Sequence, residues 1–269
     1  MCLMLIAYNY HPDYPLILAS NRDEFYCRPT EALNVREEQQ DMLCGLDLEG
    51  GGTWLAASRS GRIAALTNVR EPDRVNSNAP SRGLLVKQCV LSDQPLSDCL
   101  NTIMQQADSY NGFNLIAADS SGLYYCSNRI ATIQKLPTGL YGLSNYRLDT
   151  AWPKVTTAKA LFRDALDAPG ALNHEKLFTL LRNNESPHNS LLPDTGVGSV
   201  WERMLAPIFI DSEIYGTRTS SLILLARDGL LRFIERTHNS AGSSDSPGTQ
   251  DYAFNVQHEK NAQSTPAGN

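Results

Sequence analysis

The chain repeats one pattern that limits the folds open to it: a short apolar run, a cluster of turn-forming residues, and a second apolar run. The first example is residues 2–9, then a turn at 11–15 that contains two prolines, then an apolar run at 16–19. Two apolar runs joined in this way predict a β-hairpin. Because Asn21–Glu24 follows directly, we expect these polar residues at the end of the second strand.

Further hairpins and two helical blocks complete the pattern. Hairpins are predicted for 53–57 with 63–69, 113–117 with 123–126, and 221–225 with 230–234, with additional strands near 141–145 and 252–254. Helical periodicity is confined to 82–107, with a break near 94–95, and to 153–167 and 173–183. On the first helix, Leu84, Leu85, Cys89 and Val90 are predicted to share one face. Grouped hairpins and clustered helices favour α+β layers of two mainly antiparallel sheets over an alternating βαβ order.

Length and composition favour one globular domain. A chain of 269 residues exceeds the commonest domain size, yet single sheet domains of this length occur. We expect one domain over residues 1–256. The polar segment 239–250 is expected to be a loose loop, and 257–269 a disordered tail.

Charge and cysteine usage exclude several classes of function. The net charge is −6, and no segment concentrates Lys and Arg, so we expect no nucleic-acid partner. The apolar start lacks a basic leader, and no apolar run is long enough to cross a membrane. The six cysteines form no CxxC pair, which favours a reduced, cytoplasmic setting. The five histidines are scattered, so no metal site is predicted.

Cys2 is the first candidate for chemistry. A small second residue normally allows removal of Met1, which would leave a thiol and a free α-amine on the same residue. The amine has an ordinary pKa of about 8 and can act as the base for the thiol. The alternative is that Cys2 is an ordinary buried strand cysteine.

Polar residues at the predicted strand ends form the second group of candidates. Asn21–Glu24 supplies a carboxylate that can orient an amine and a guanidinium that can bind a substrate. The alternative for this segment is a cap or turn with a local salt bridge. The side-chain amides of Asn68 and Asn145 can stabilise an oxyanion, although turn-forming asparagines also occur at such positions. The glycines at 50–52 lack the spacing of a phosphate loop and indicate a turn or a close backbone approach.

Seven segments, in order along the chain, carry a resemblance to a known family. They are Met-Cys at 1–2, Leu-Ile-Leu-Ala-Ser-Asn-Arg-Asp-Glu-Phe-Tyr-Cys-Arg-Pro at 16–29, Gly-Gly-Thr-Trp-Leu at 51–55, Ala-Ala-Leu-Thr-Asn at 64–68, Tyr-Asn-Gly-Phe-Asn-Leu-Ile-Ala-Ala-Asp at 110–119, Tyr-Gly-Leu-Ser-Asn at 141–145 and Tyr-Gly-Thr-Arg-Thr at 215–219. Together they resemble the NRDE, or transport-and-Golgi-organisation, family. That family is in turn similar to N-terminal nucleophile hydrolases of the choloylglycine and penicillin V acylase type, which implies a four-layer αββα sandwich.

The relation to those hydrolases implies roles for individual residues. Cys2 matches their nucleophile, Asp23 the carboxylate that holds the amine, and Asn68 and Asn145 their active-site asparagines. Where those enzymes carry an Arg three residues before the Asp, this chain has Ser20. Asn21, Arg22, Glu24 and Arg218 remain as candidate ligand-binding residues, with Arg218 the candidate for the later Arg of those enzymes.

Resemblance to the NRDE family implies a role in haem trafficking. Members are implicated in moving haem and delivering it to haemoproteins, so haem or another small apolar ligand is the expected cargo. The cations for its propionates would come from Arg22, Arg28, Arg70 and Arg218, and an axial ligand from Cys2, a Tyr or a His. The alternatives are a Cys2-dependent amide hydrolase acting on a small acylated substrate, and an acyl-thioester or lipid binder without turnover.

Overall fold

The computed structural model describes residues 2–39, 42–239 and 248–257, with only the backbone described at Cys2, Gln39 and Ala131. Most of the predicted loop at 239–250 and nearly all of the predicted tail at 257–269 therefore lie outside the described residues. Strands and helices are numbered in chain order below.

The first sheet has six strands in the order β10-β1-β2-β11-β12-β13, and all neighbours are antiparallel. Its members are β1 (Cys2–Tyr8), β2 (Leu16–Phe25), β10 (Gly139–Leu143), β11 (Tyr215–Leu225), β12 (Leu230–Thr237) and β13 (Thr249–Asn255). The hairpin β1–β2 therefore lies near the middle of this sheet, with β10 and β11 on either side of it.

The second sheet is a seven-stranded antiparallel meander in which spatial order follows chain order. Its members are β3 (Thr30–Arg36), β4 (Met42–Asp47), β5 (Leu55–Ala57), β6 (Ile63–Asn68), β7 (Phe113–Asp119), β8 (Gly122–Ser127) and β9 (Ile130–Leu136). Short connections suffice because consecutive strands are neighbours.

The helices cover the outer faces of the two sheets. They are α1 (Gly83–Leu91), α2 (Leu96–Gln105), α3 (Pro153–Leu166), α4 (His174–Leu181) and the short α5 (Ser199–Met204). Helices α1 and α2 pack on the second sheet, whereas α3 and α4 pack on the first. A third apolar cluster fills the space between the sheets. The predicted four-layer αββα sandwich is thus confirmed.

The alternation of side chains along β1 and β2 explains why these strands are apolar throughout. Met4 and Leu18 point into the layer between the sheets, while Leu3 and Ile17 point towards α3 and α4. Because both faces of the first sheet are covered, neither face of a central strand needs polar residues. The same alternation assigns a face to each polar residue further along β2.

The structure confirms the predicted hairpins and helices and corrects two details. Asn21–Glu24 lies at the end of β2, as predicted, and the strand runs beyond its apolar part because the pairing with β11 continues as far as Phe25. Leu84 is not on the buried face of α1 and is 40% exposed, since the buried stripe begins one position later at Leu85. Strands β3, β4 and β9 were not predicted. β3 and β9 are the polar-rich edges of the second sheet and carry little apolar signal, whereas β4 is a short, mostly buried apolar run that the hairpin pattern overlooked.

Among the described residues, no helix has the length and apolar character needed to cross a bilayer.

Candidate functional site

A cleft of about 700 Å³ opens at the end of the sandwich where β2 and β6 finish. Arg22, Trp54 and Asn68 line it, together with parts of the segments 47–53 and 75–83. Asp23 and Glu24 also contribute to its surface. Arg28 also lines the cleft, so five of the candidate residues meet at one place. Most of the lining is polar, so the cleft suits a ligand with charged groups.

Close packing of two glycines shapes one wall of this cleft. Gly52 lies against Gly83, the first residue of α1, and a side chain at residue 52 would overlap the Gly83 backbone. The amide of Thr53 donates to the Gly83 carbonyl at 3.2 Å. Gly51 adopts a positive φ of 67°, which favours glycine. The predicted turn and close backbone approach at 50–52 are confirmed.

Cys2 begins β1, and its backbone lies opposite Arg22 in the β1–β2 ladder. Residue 2 thus pairs with a residue that lines the cleft. The Cys2 side chain and Met1 lie outside what the structure describes, so the proposed roles of the thiol and the α-amine stay predictions.

Arg22 occupies the layer between the sheets and stacks on an aromatic ring. Its guanidinium carbon is 4.3 Å from the centre of the Trp54 ring, and the residue is only 5% exposed. Its Nη1 is buried and has no hydrogen-bond partner among the residues described. An arginine held on a ring with an open N–H is a favourable place for an acceptor oxygen.

Asp23 is buried next to Arg22 and has its own set of partners. Its Oδ1 accepts a hydrogen bond from Thr217 Oγ1 at 2.7 Å, and Lys154 Nζ lies 4.0 Å from Oδ2. Burial raises the pKa of this carboxyl, while the charge of Lys154 and the Thr217 bond oppose the shift. The fixed position of Asp23 is suited to orienting an amine at the end of β1.

Asn21 and Glu24 have different surroundings. The Asn21 amide donates to the carbonyls of Leu181 and Ile208 at 2.8 and 2.9 Å, on the face of the sheet away from the cleft. Its Oδ1 accepts from Ser220 at 2.7 Å, so this side chain holds α4 and the following segment to the sheet. Glu24 faces the cleft, and its carboxylate accepts from the Phe25 amide at 2.9 Å.

Asn68 and Asn145 meet at the junction of the two sheets. Asn145 Nδ2 donates to the Asn68 carbonyl at 2.9 Å, and the Arg70 amide donates to the Asn145 carbonyl at 2.8 Å. Thr67 Oγ1 donates to the Ser144 carbonyl at 2.7 Å beside them. Asn145 therefore ties the end of β10 to the end of β6, and Asn68 is the member of the pair that lines the cleft.

The four arginines predicted to bind propionates differ in how they are engaged. Arg28 is held by Asp47 and Glu49. Arg70 forms a buried ion pair with Glu202 at 2.6 Å. Arg218 donates to the backbone carbonyls of Phe25 and Arg28 at 2.9 and 3.1 Å. Of the four, Arg22 alone both lines the cleft and keeps a buried N–H without a partner among the described residues.

Sequence reasoning missed several residues that shape the site. Trp54 lies in the Gly-Gly-Thr-Trp-Leu segment that was noted, but its place under Arg22 depends on how the two sheets pack. Lys154 has no feature in the sequence that distinguishes it from the other polar residues of the amphipathic helix α3. Glu235 carried a usable signal, because it shares the inward face of β12 with Leu231 and Phe233. Within the described residues, no group of three or more His, Cys, Asp or Glu side chains is placed to hold a metal ion.

The sequence of this chain is similar to those of known proteins over most of its length. The family model described as Transport and Golgi organisation 2 matches residues 1–240. A Bos taurus Transport and Golgi organization protein 2 homolog is 38% identical over 257 residues, covering 88% of this chain and 93% of the bovine protein. A Homo sapiens homolog is 35% identical over 277 residues, covering 96% of this chain and 100% of the human protein.

A solved structure is also similar. It is a Caenorhabditis elegans N-acylethanolamine-hydrolyzing acid amidase ortholog, with a TM-score of 0.47 and 11% identity, covering 83% of this chain and 92% of that chain.

Proposed function

This chain belongs to the Transport and Golgi organisation 2 family, and on that premise we propose that it is a haem-trafficking protein. In this proposal the protein binds haem transiently in the cleft and then delivers it to haemoproteins. The observation that carries it is the cleft beside Arg22, where a buried guanidinium stacked on Trp54 keeps an N–H available.

The size and charge of the cleft support a ligand of this kind. Its volume of about 700 Å³ falls within the roughly 300–1,000 Å³ typical of small-molecule and cofactor sites. Arg22 can bind one propionate carboxylate through charge-assisted hydrogen bonds. Trp54 and Leu66 offer apolar surface to a flat ring. A cleft with more polar than apolar lining would hold haem less firmly than a closed apolar pocket, as a carrier requires.

Cys2 is the candidate for the axial ligand. The residues described as lining the cleft include no His, Cys, Met or Tyr, so they offer no usual ligand for haem iron. Cys2 pairs with Arg22 at the edge of the cleft, and a thiolate there would complete the site. The proposal therefore expects the absorbance spectrum of the bound haem to depend on Cys2.

A reduced, cytoplasmic setting is part of the proposal. Free thiols in the described residues support it: Cys27, Cys44, Cys89, Cys99 and Cys126.

Haem titration followed by absorbance tests the binding step. The Met-processed protein should bind haem in a saturable 1:1 complex, because the proposal places one haem in the cleft. Arg22→Gln should weaken binding about tenfold or more through loss of a charge-assisted hydrogen bond. Cys2→Ala should change the spectrum. Arg163→Gln, on the exposed face of α3, is the matched control and should bind as the parent does. Binding that is unspecific, or equal in Arg22→Gln and the parent, would contradict the proposal.

The second candidate is a Cys2-dependent amide hydrolase. A specific arrangement favours it: Asp23 is buried next to the ladder partner of Cys2, and the linked pair Asn68 and Asn145 lies at the ends of β6 and β10. The thiol would attack an acyl carbonyl, and the α-amine would accept the thiol proton and pass it to the leaving amine. Water would then hydrolyse the thioester and restore the thiol. Hydrolysis of small acylated amides that is lost in Cys2→Ala, without specific haem binding, would favour this candidate over the carrier.

A further inference from the structure

Two side chains that each carry an unsatisfied polar atom lie opposite each other on neighbouring strands, between the sheets. Arg22 of β2 and Thr219 of β11 are direct partners in the antiparallel ladder, so their side chains share one face. Both residues are buried, and neither Arg22 Nη1 nor Thr219 Oγ1 has a hydrogen-bond partner among the residues described. Burying such atoms without partners costs stability. Two adjacent orphan donors point to an acceptor group that is supplied by a ligand.

A β-bulge lies directly beside this pair. The register between β2 and β11 shifts between Thr217 and Thr219, so that Thr217 pairs with Asp23 and Thr219 pairs with Arg22. Thr219–Leu225 keep one continuous register with Leu16–Arg22, and the extra residue turns Thr217 to the opposite face, where its hydroxyl donates to Asp23. Bulges are common beside functional sites because they re-aim a side chain. Here the bulge lets β11 present one hydroxyl to the face of Arg22 and another to Asp23.

The carboxylates whose charges reach Arg22 are engaged by other donors. Glu235 accepts from the Leu33 amide and Ser221 Oγ, and Asp23 accepts from Thr217 Oγ1. Asp47 accepts from Arg28. Burial and the charge of Arg22 lower the pKa of the half-buried Arg218, whose Nε also has no hydrogen-bond partner among the described residues. Two guanidiniums with open N–H groups favour an incoming anion over a neutral group.

We propose that Arg22 Nη1 and Thr219 Oγ1 are the paired donors of a subsite that binds one carboxylate group of the ligand. A carboxylate has two acceptor oxygens, so it can satisfy an N–H and an O–H at once. The subsite does not depend on which ligand carries the carboxylate. Only its identification as a propionate site rests on the proposed haem function.

Matched small ligands test the subsite. Titration calorimetry of the full chain would compare hexanoate, hexanamide and hexyl phosphate, which share one alkyl chain and differ in the head group. Hexanoate should bind about tenfold or more tightly than hexanamide, since a charge-assisted hydrogen bond separates them. Equal binding of the acid and the amide would overturn the proposal. Tighter binding of hexyl phosphate than of hexanoate would reassign the subsite to phosphate and overturn the carboxylate assignment.

Thr219→Val is the decisive variant because it removes the hydroxyl and keeps the shape. It should weaken hexanoate binding about tenfold, while the fold is kept or becomes more stable, since an unsatisfied buried hydroxyl is removed. Thr157→Val, at an exposed position of α3, is the control and should change neither property. Unchanged hexanoate binding by a folded Thr219→Val protein would refute the role of Thr219.

The two proposals fail in different ways. If hexanoate binds through Arg22 and Thr219 but haem does not bind, the subsite stands and the haem function is wrong. If haem binds but hexanoate does not, the haem function stands and the proposed carboxylate subsite is wrong.

Discussion

Glu235 offers a sharp test of how the two sheets are joined. It lies on β12 and is fully buried, with Oε1 accepting from the Leu33 amide at 2.8 Å and Oε2 from Ser221 Oγ at 3.1 Å. Leu33 lies in β3, at the irregularity between Glu31 and Asn34, so this carboxyl links the first sheet to an edge of the second. Glu235→Gln keeps the acceptor for Leu33 and removes the charge.

The size of the effect follows from the pKa of this group. Burial raises the pKa of Glu235 from 4.5 to about 7, against the opposing effects of its two hydrogen bonds and Arg22. Because the folded state holds a proton that the unfolded state has released, the stability from this group is complete below about pH 4.5 and is lost as the pH rises towards 7. At about 1.4 kcal/mol per pKa unit, the loss amounts to roughly 3 kcal/mol.

Urea unfolding at pH 4.5 and pH 8 measures this difference. At each pH, the unfolding free energy of the parent is subtracted from that of Glu235→Gln. This difference should be about 3 kcal/mol higher at pH 8 than at pH 4.5. Glu213→Gln, on an exposed loop, is the control, and its unfolding free energy should equal that of the parent at both pH values. If the difference between Glu235→Gln and the parent is the same at both pH values, the carboxyl does not titrate as argued.

Two further substitutions test buried packing, the first at an ion pair and the second in the wall of the cleft. Arg70→Met should destabilise the protein by about 3–5 kcal/mol, because it leaves Glu202 buried without its cation; adding Glu202→Gln should recover part of that loss in the same urea assay. Gly52→Ala should cost about 1–3 kcal/mol through overlap with the Gly83 backbone, whereas Gly248→Ala, which meets open space, should leave the melting temperature unchanged. A Gly52→Ala protein as stable as the parent would show that the wall of the cleft is not tightly packed.

Local pattern was sufficient to predict most of the fold. Apolar runs separated by turn clusters gave the hairpins, and two blocks of helical periodicity gave four of the five helices. Two of the strands that were missed, Thr30–Arg36 and Ile130–Leu136, alternate weakly and lie at the edges of the second sheet, where strand pairing determines the structure more than the side-chain pattern does.

The site was less predictable because its contacts are long-range. A close backbone approach at 50–52 could be predicted, yet its partner Gly83 lies far along the chain. Asn21 and Arg22 were grouped together, but the alternation of a strand turns one towards the helices and the other towards the cleft. That separation could be read only once β2 was known to extend to Phe25.

Transfer of haem to an acceptor tests the central claim most directly. The haem-loaded protein would be mixed with excess apomyoglobin, and the absorbance of both complexes followed over time. The proposal predicts that the donor spectrum disappears as holo-myoglobin forms, with faster loss from Arg22→Gln than from Arg163→Gln. A protein that forms no 1:1 haem complex, or that retains its haem in the presence of excess acceptor, would contradict the assignment as a haem carrier.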